Sequence, residues 1–311
     1  MLNSDDIGFM IIAATYVFLM TPGLAFFYGG LAQRKNVLNT MMMSVAFMGL
    51  SSVLWVLCGY SLSFSGDLGG VIGNLKWFAF NGVGAEAGPY SDNIPNMGFA
   101  LFQMMFAIIT PSLITGAVAG RMKFKAIFLF VFLWQFVVYY PMAHMVWGGG
   151  FLAQIGSIDF AGGNVVHISS GVSGLVLAIL IGKRKGIEKR SVVPHNIPFV
   201  VLGASLLWFG WFGFNAGSAL GANGLAALST ALVVVRIPLP CGLCNAFMDD
   251  YRYNQRRKAD SSRSLYRRCY RFGGNYTGCR FRTDMGVVYY RCTCQPDLLL
   301  CIICTKTEIR I

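Results

Sequence analysis

Charge is what this sequence has least of: Asp, Glu, Lys and Arg make up 12% of its 311 residues, against 55% hydrophobic and 14% aromatic, at a mean hydropathy of +0.58. So little charge excludes a soluble globule and points to an integral membrane protein; its long apolar runs make the expectation an all-α, multi-pass protein of the cell membrane. A basic start is missing as well, because the opening MLNSDD holds two acids and no base. A secretory leader needs such a start, so the first apolar run is expected to stay in place as a membrane span. Histidine is scarce, at three residues: His144, His167 and His195. His167 is the one ionisable side chain between Gly162 and Gly182, and about 20 such residues cross a bilayer. An ionisable group at that depth is costly unless it faces a bundle interior or a pore. Read alone, a histidine hydrogen-bonded to a neighbouring helix fits as well.

Six apolar runs follow in order, about Ile7 to Tyr28, Val37 to Phe64, Met97 to Ala119, Phe124 to Trp147, Gly162 to Gly182 and Ile197 to Leu220. Their connections alternate in charge. Arg34 and Lys35 follow the first run, Arg121, Lys123 and Lys125 the third, and Lys183, Arg184, Lys185, Lys189 and Arg190 the fifth. The other connections carry mainly Asp5, Asp6, Asp67, Glu86, Asp92 and Asp159, with Lys76 as their one base. Basic loops stay in the cytoplasm, so the N-terminus, the Gly66 to Asn96 loop and the Trp147 to Asp159 loop are expected outside. Small residues recur inside the runs, as in GAVAG, ISSGVSG and FNAGSALGANG. In lipid they permit close helix contact and argue for one packed bundle. Pro22, Pro111 and Pro141 interrupt runs where neighbouring helices must satisfy the freed carbonyls.

Five stretches say more than composition does: TPGLAFFYGGLAQRKN, FQMMFAIITPSLITGAVAGRMKF, AHMVWGGGFLAQIGSIDFAGGNVVHISSGVSGL, PHNIPFVVLG and LLWFGWFGFNAGSALGAN. Together and in this order they resemble the ammonium transporter family (Amt/Mep/Rh), on its bacterial and archaeal Amt side, over about residues 7 to 229. The resemblance implies an Amt-type bundle of eleven helices per subunit, with helices one to five and six to ten forming inverted repeats around a pore, assembled as a homotrimer. It implies passage of ammonium or ammonia through a gated hydrophobic pore, with a PII-type cytoplasmic protein as the family's regulator. No enzymatic activity, cofactor, metal or nucleic-acid partner is expected. This chain would supply the first repeat and one helix of the second. It is expected to be a bundle truncated to about six transmembrane helices, incomplete and inactive as it stands.

Residue by residue, the resemblance assigns Phe106, Trp147 and Ser218 to an outer ammonium site. Aromatic faces there attract a desolvating cation, at roughly 0.5–2 kcal/mol, and the hydroxyl accepts one of its protons. Phe106 and Phe214 match the stacked phenylalanines that gate the pore beneath, a dry constriction that strips hydration. Trp211 matches a tryptophan of the upper pore wall. His167 matches the first of two pore histidines, which share a hydrogen bond and can pass a proton between donor and acceptor nitrogens. The second belongs to the family's tenth helix, and nothing here matches it. Asp159 matches a vestibule acid, expected to cap the amides of AGGNVVH and to favour a cation over a neutral gas. Read singly, Trp147 fits an interfacial belt, and Phe106, Phe214 and Trp211 fit ordinary packing. His144 and His195 read as structural.

The composition changes near residue 230. Residues 1–229 hold 11 Lys and Arg against 7 Asp and Glu, whereas residues 230–311 hold 14 against 6, together with eight of the nine cysteines. The pairs Cys241/Cys244 and Cys301/Cys304 have a zinc-ligand spacing, so the alternative function is a membrane-anchored binding or sensing protein with a basic zinc tail. That tail contains no histidine, and a frameshift accounts for it better. In a shifted frame Met248 and Asp249, encoded ATG-GAY, must read as tryptophan. Codons for three stretches of the tail can be chosen in that frame to resemble later Amt helices in family order. Residues 230–311 are therefore expected to be an out-of-frame, disordered tail, with helical order ending near residue 225.

Overall fold

A long apolar run has one viable form in lipid, the helix, because every backbone N–H and C=O must then bond within its own segment. The computed structural model describes residues 2–182 and 194–236 and is accordingly helical. In order it has α1 (Ser4–Leu31), α2 (Val37–Leu54) leading through a π turn, Trp55–Gly59, into α3 (Tyr60–Phe64), and α4 (Asn96–Val118). Then come α5 (Phe124–Trp134), leading through a second π turn, Gln135–Tyr139, into α6 (Tyr140–Trp147), and the short α7 (Phe151–Gln154). A third π turn, Gly163–Ile168, opens α8 (Ser169–Ile181), and α9 (Ile197–Gly217) and α10 (Gly224–Arg236) complete the order. Six of the resulting segments are long and apolar enough to cross a membrane, and they coincide with the six apolar runs. The loop before α4 holds an antiparallel pair, β1 (Ala87–Gly88) and β2 (Ser91–Pro95). The basic cluster at 183–190 and the Cys-rich tail beyond residue 236, with the expected frameshift, lie outside the described residues.

Hydrogen bonds sort the connections into two ends. At one end Asn3 N–H donates to Asn93 O (2.9 Å), Phe151 N–H to Gly70 O (2.7 Å), and Ala222 N–H to the carboxylate of Asp6 (2.7 Å). At the other, Asn196 N–H reaches Gly30 O (3.1 Å), and the Arg121 guanidinium donates to Ala117 O and to Gly182 O (2.8 Å). Arg121 thereby covers the C-terminal carbonyls of both α4 and α8, where a cation also meets the negative ends of two helix dipoles. Among the described residues the first end carries Asp5, Asp6, Asp67, Glu86, Asp92, Asp159 and Lys76, and the second carries Arg34, Lys35, Arg121, Lys123 and Lys125. The alternation of charge along the chain is thus a separation in space.

The longest packing seam joins α1 to α9, running antiparallel. Gly23 lies against Gly203 and Leu206, Gly30 against Asn196 and Val200, and Gly210 and Gly213 against Met20 and Ala13. A Cβ on Gly203 would fall on the backbone of Phe27 and Gly23, so glycine is required here for backbone approach, as in lipid-embedded helix pairs generally. Several polar side chains inside the bundle find hydrogen-bond partners there. Gln135, in the second π turn, donates to Ser51 Oγ (2.5 Å) and accepts from the Tyr140 hydroxyl (2.6 Å), while Trp55 Nε1–H donates to Ala100 O (3.0 Å). Such pairing removes the penalty of placing an amide or indole N–H in an apolar medium.

α10 corrects one expectation, since helical order continues past residue 225 to Arg236. Asn223 Oδ1 accepts from Ala226 N–H (3.0 Å) and so caps the helix start. The Ala- and Leu-rich sequence GLAALSTALVVVR then propagates it without a breaker. By internal contacts the chain separates into Met1–Thr230 and Ala231–Ile311. Asp159, the aromatic side chains near it and His167 all lie in the first of these.

Candidate functional site

Asp159 organises the site through local backbone geometry. Its Oδ1 accepts from the amides of Gly162 (2.6 Å) and Gly163 (2.8 Å), and its Oδ2 from those of Asn164 (2.8 Å) and Val165 (3.0 Å). One carboxylate therefore satisfies four consecutive N–H groups at a helix start, where the dipole also favours a negative charge. Gly162 makes the convergence possible, because at φ 98° it occupies a left-handed conformation that a side chain would strain. The helix then opens as a π turn, with Val166 N–H and His167 N–H both directed at Gly162 O (3.0 and 3.1 Å). A π turn carries one residue more than an α turn and so rotates the helical residues after it. His167 lies within this turn, with its ring against Phe214.

Asp159 also holds an aromatic. Its backbone carbonyl accepts the Trp147 Nε1–H (2.9 Å), which fixes the indole at the end of α6. From Trp147 a row of rings descends into the bundle. Phe106 of α4 meets Trp147 edge-on at 5.8 Å, Phe106 and Phe214 of α9 lie 4.5 Å apart with planes inclined at 42°, and Phe214 stacks on His167 at 5.6 Å and 19°. Phe106 and Phe214 are each 1% exposed, so this part of the row is dry. Ser218 is half-buried one turn beyond Phe214 and donates its hydroxyl proton to Phe214 O (2.8 Å). What the hydroxyl retains is acceptor capacity for an N–H donor. Trp211 is buried one turn before Phe214 on the same helix. Among the described residues no ring contact joins it to the row.

His167 Nδ1 is buried and, among the described residues, has no hydrogen-bond partner. Buried polar atoms are seldom left so, and each calls for an explanation. Sequence reasoning missed Phe102, whose ring lies 4.9 Å from Phe106 and fills the space left by the bare Cα of Gly217. The signal was available, because positions i and i+4 share a helix face. His144 sits outside the row: its Nδ1 is 3.1 Å from Ser63 O and its Nε2 3.1 Å from Asp67 Oδ1. That contact and the Gly70 amide hold the Asp67 carboxyl below its usual range. In the same loop region burial pushes the Tyr90 phenol up to about 12. His195 is exposed at the opposite end. Among the described residues no group of three or more His, Cys, Asp or Glu could hold a metal ion.

The sequence profile described as Ammonium Transporter Family matches residues 8–245, past the boundary expected at 229. The ammonium transporter of Bacillus subtilis (strain 168) is 54% identical over 225 residues, which are 72% of this chain and 55% of that protein. The crystal structure of Saccharomyces cerevisiae Mep2 superposes with a TM-score of 0.67 at 37% identity, covering 73% of this chain and 51% of the other. A structure described as a sensor Amt protein gives 0.69 at 29% identity, covering 82% and 63%. The chain thus spans about half the length of the first two and somewhat more of the third. With six apolar segments that can cross a bilayer and a match over most of its length, this chain is a multi-pass membrane protein that belongs to the ammonium transporter family.

Proposed function

We propose that residues 1–229 form one half of a path for ammonium or ammonia, entered from the acidic end. The observation that carries this reading is the unbroken row Trp147, Phe106, Phe214, His167, anchored by Asp159. An ammonium ion arriving at the half-buried Trp147 meets an aromatic face and the acceptor lone pairs of Ser218, while the Asp159 charge favours a cation. Both Asp159 oxygens are already filled by backbone amides. Its part is therefore to hold the helix start and Trp147 in place and to set the local field. Below, the packed Phe106 and Phe214 admit a species only without its hydration shell. His167 then offers a nitrogen, at the depth where Nδ1 waits for a partner from outside the described residues. Trp211 lines the upper wall in this reading.

The orientation with the acidic end outside and the basic end in the cytoplasm follows from the positive-inside rule. A homotrimer and a PII-type regulator at the cytoplasmic face belong to the same reading. Residues beyond Arg236 are read as an out-of-frame tail, which resequencing across the codons for residues 225–250 tests. The functional test is a chimera in which residues 1–229 replace the matching half of the Bacillus subtilis transporter, expressed in a strain without ammonium transporters. Growth at low ammonium is the expected result. Within that chimera Trp147→Leu should raise the concentration for half-maximal methylammonium uptake about 2- to 30-fold, the range that one cation-π contact spans. An unchanged concentration dependence rejects the outer site.

A further inference from the structure

His144 faces two acceptors at once. Its ring is fully buried in α6, with Nδ1 3.1 Å from Ser63 O and Nε2 3.1 Å from Asp67 Oδ1. A carbonyl and a carboxylate have no proton to give, and a neutral imidazole carries one N–H, so on a neutral ring one nitrogen lone pair would face an oxygen lone pair. Both contacts are hydrogen bonds only when both nitrogens are protonated. A buried charge is costly unless it is paired and hydrogen-bonded, and the surroundings of His144 meet both conditions. Ser63 lies in the last turn of α3, where carbonyls lack intrahelical partners and the dipole favours a cation. Asp67 supplies the opposite charge, its side chain exposed and its carboxyl held below the usual range. Other titratable groups on the elements packed against α6 are engaged elsewhere: Tyr60 donates to Asn96 Oδ1 (2.5 Å), Tyr90 to Phe64 O (2.6 Å), Asp159 is filled by four amides, and His167 stacks on Phe214. Among the described residues Asp67 is the one acid in contact with the His144 ring.

We infer that His144 is held as an imidazolium and that its two N–H bonds position Trp147 at the mouth of the aromatic row. Trp147 follows His144 by three residues on the same short helix. One ring nitrogen ties that helix to α3 through Ser63 O, and the other ties it to the loop that follows α3 through Asp67. Asp67 Oδ1 also accepts from Gly70 N–H (2.7 Å), and Gly70 O accepts from Phe151 N–H (2.7 Å), just past Trp147. His144 O in turn accepts from the amides of Gly148 and Gly150 (3.0 Å each). The segment from His144 to Phe151 is thereby held at both ends, with Trp147 between them. Glycine lets these contacts close, because a Cβ on Gly148 would fall on Ser63 O and one on Gly150 on Gly70 O. Loss of either ring proton removes one of the two bonds, so the hold weakens as pH rises, whereas the Asp67 charge is lost as pH falls. The consequence for recruitment at Trp147 rests on the reading of an outer site there. The charge on His144 and the hold on Trp147 are measured without transport, so failure of the transport reading leaves their test intact.

The test is nuclear magnetic resonance of the full 311-residue chain in detergent, isotope-labelled at the ring nitrogens of histidine and tryptophan. The His144 signals are those missing from His144→Gln, and the Trp147 indole signal is the one missing from Trp147→Phe. At neutral pH His144 should show two protonated ring nitrogens. Asp67→Asn changes an exposed side chain and offers the ring an amide N–H in place of a carboxylate, so a neutral ring then fits. In that variant His144 should lose one N–H, and Trp147 Nε1–H should exchange with solvent about tenfold faster, the weakening that loss of one charged hydrogen bond gives. One bare ring nitrogen on His144 in the parent at neutral pH overturns the proposal. So do two protonated nitrogens that persist in Asp67→Asn, because the carboxylate would then not be what holds the charge. Loss of the N–H in Asp67→Asn with Trp147 exchange unchanged overturns it as well, since His144 would be charged without positioning Trp147.

Discussion

At the scale of single residues, Asp159 has the largest structural consequence for its size. Replacing an ordinary N-cap costs about 0.5–2 kcal/mol, and Asp159→Ala removes four amide partners at once. The expected loss is at the upper end of that range, about 2 kcal/mol, read as lowered thermal stability in detergent. Stability equal to the parent would remove Asp159 from its organising role. Asp67 supplies a pH dependence of definite sign. Its folded pKa is depressed by His144 and the Gly70 amide, so its contribution is present above the ordinary carboxylate range and fades as pH falls through the lowered value. Asp67→Asn should lower stability at neutral pH and flatten the acid limb of the stability profile, so that variant and parent converge below about pH 4. An acid limb identical to that of the parent would show that the contact with His144 contributes nothing.

Helices and the seams between them form the next scale, and there the α1–α9 glycines decide the fit. Gly203→Leu places side-chain atoms where the backbone of Phe27 and Gly23 already stands. Overpacking of that kind costs about 1–3 kcal/mol, and here the clash is with backbone, which cannot rotate away. Gly49, in α2, has open space around the position of a Cβ. Gly49→Ala should therefore be neutral or stabilising by up to about 1 kcal/mol through helix propensity alone. Thermal unfolding of the two variants beside the parent checks the contrast. Similar losses in both would show that the glycines matter for something other than approach.

For the molecule as a whole, the question is whether the path closes. The described residues supply the row from Trp147 to His167 but no partner for His167 Nδ1. Large apolar side chains also stand exposed on the outer helices, among them Leu175, Ile179 and Leu180 of α8 and Val201 of α9. The 311-residue chain expressed by itself in a strain without ammonium transporters is therefore expected not to restore growth at low ammonium and acidic pH. Rescue by this chain alone would show that the row needs no further partner.

The six membrane segments were legible in the sequence because lipid leaves the backbone no alternative to local hydrogen bonds, so apolar length alone marks each helix. The two charged ends were legible for the same reason, since the bases and acids fall in alternate connections. The residues of the site came from motif resemblance, and periodicity would not have separated Phe106 or Phe214 from ordinary core. Only the tertiary structure decided how they meet. Contacts such as Phe106 with Phe214 join α4 to α9 across about a hundred residues of chain, and their geometry depends on how closely the intervening glycines let the helices approach. The π turn that carries His167 and the four amides gathered by Asp159 depend on the backbone path around Gly162. Helical order beyond the expected residue 225 rests on the Asn223 cap at the start of α10 and the Ala- and Leu-rich run behind it. The basic, Cys-rich composition beyond that helix misled the reading of the boundary, because a composition averaged over a tail carries no information about where the last helical turn stops.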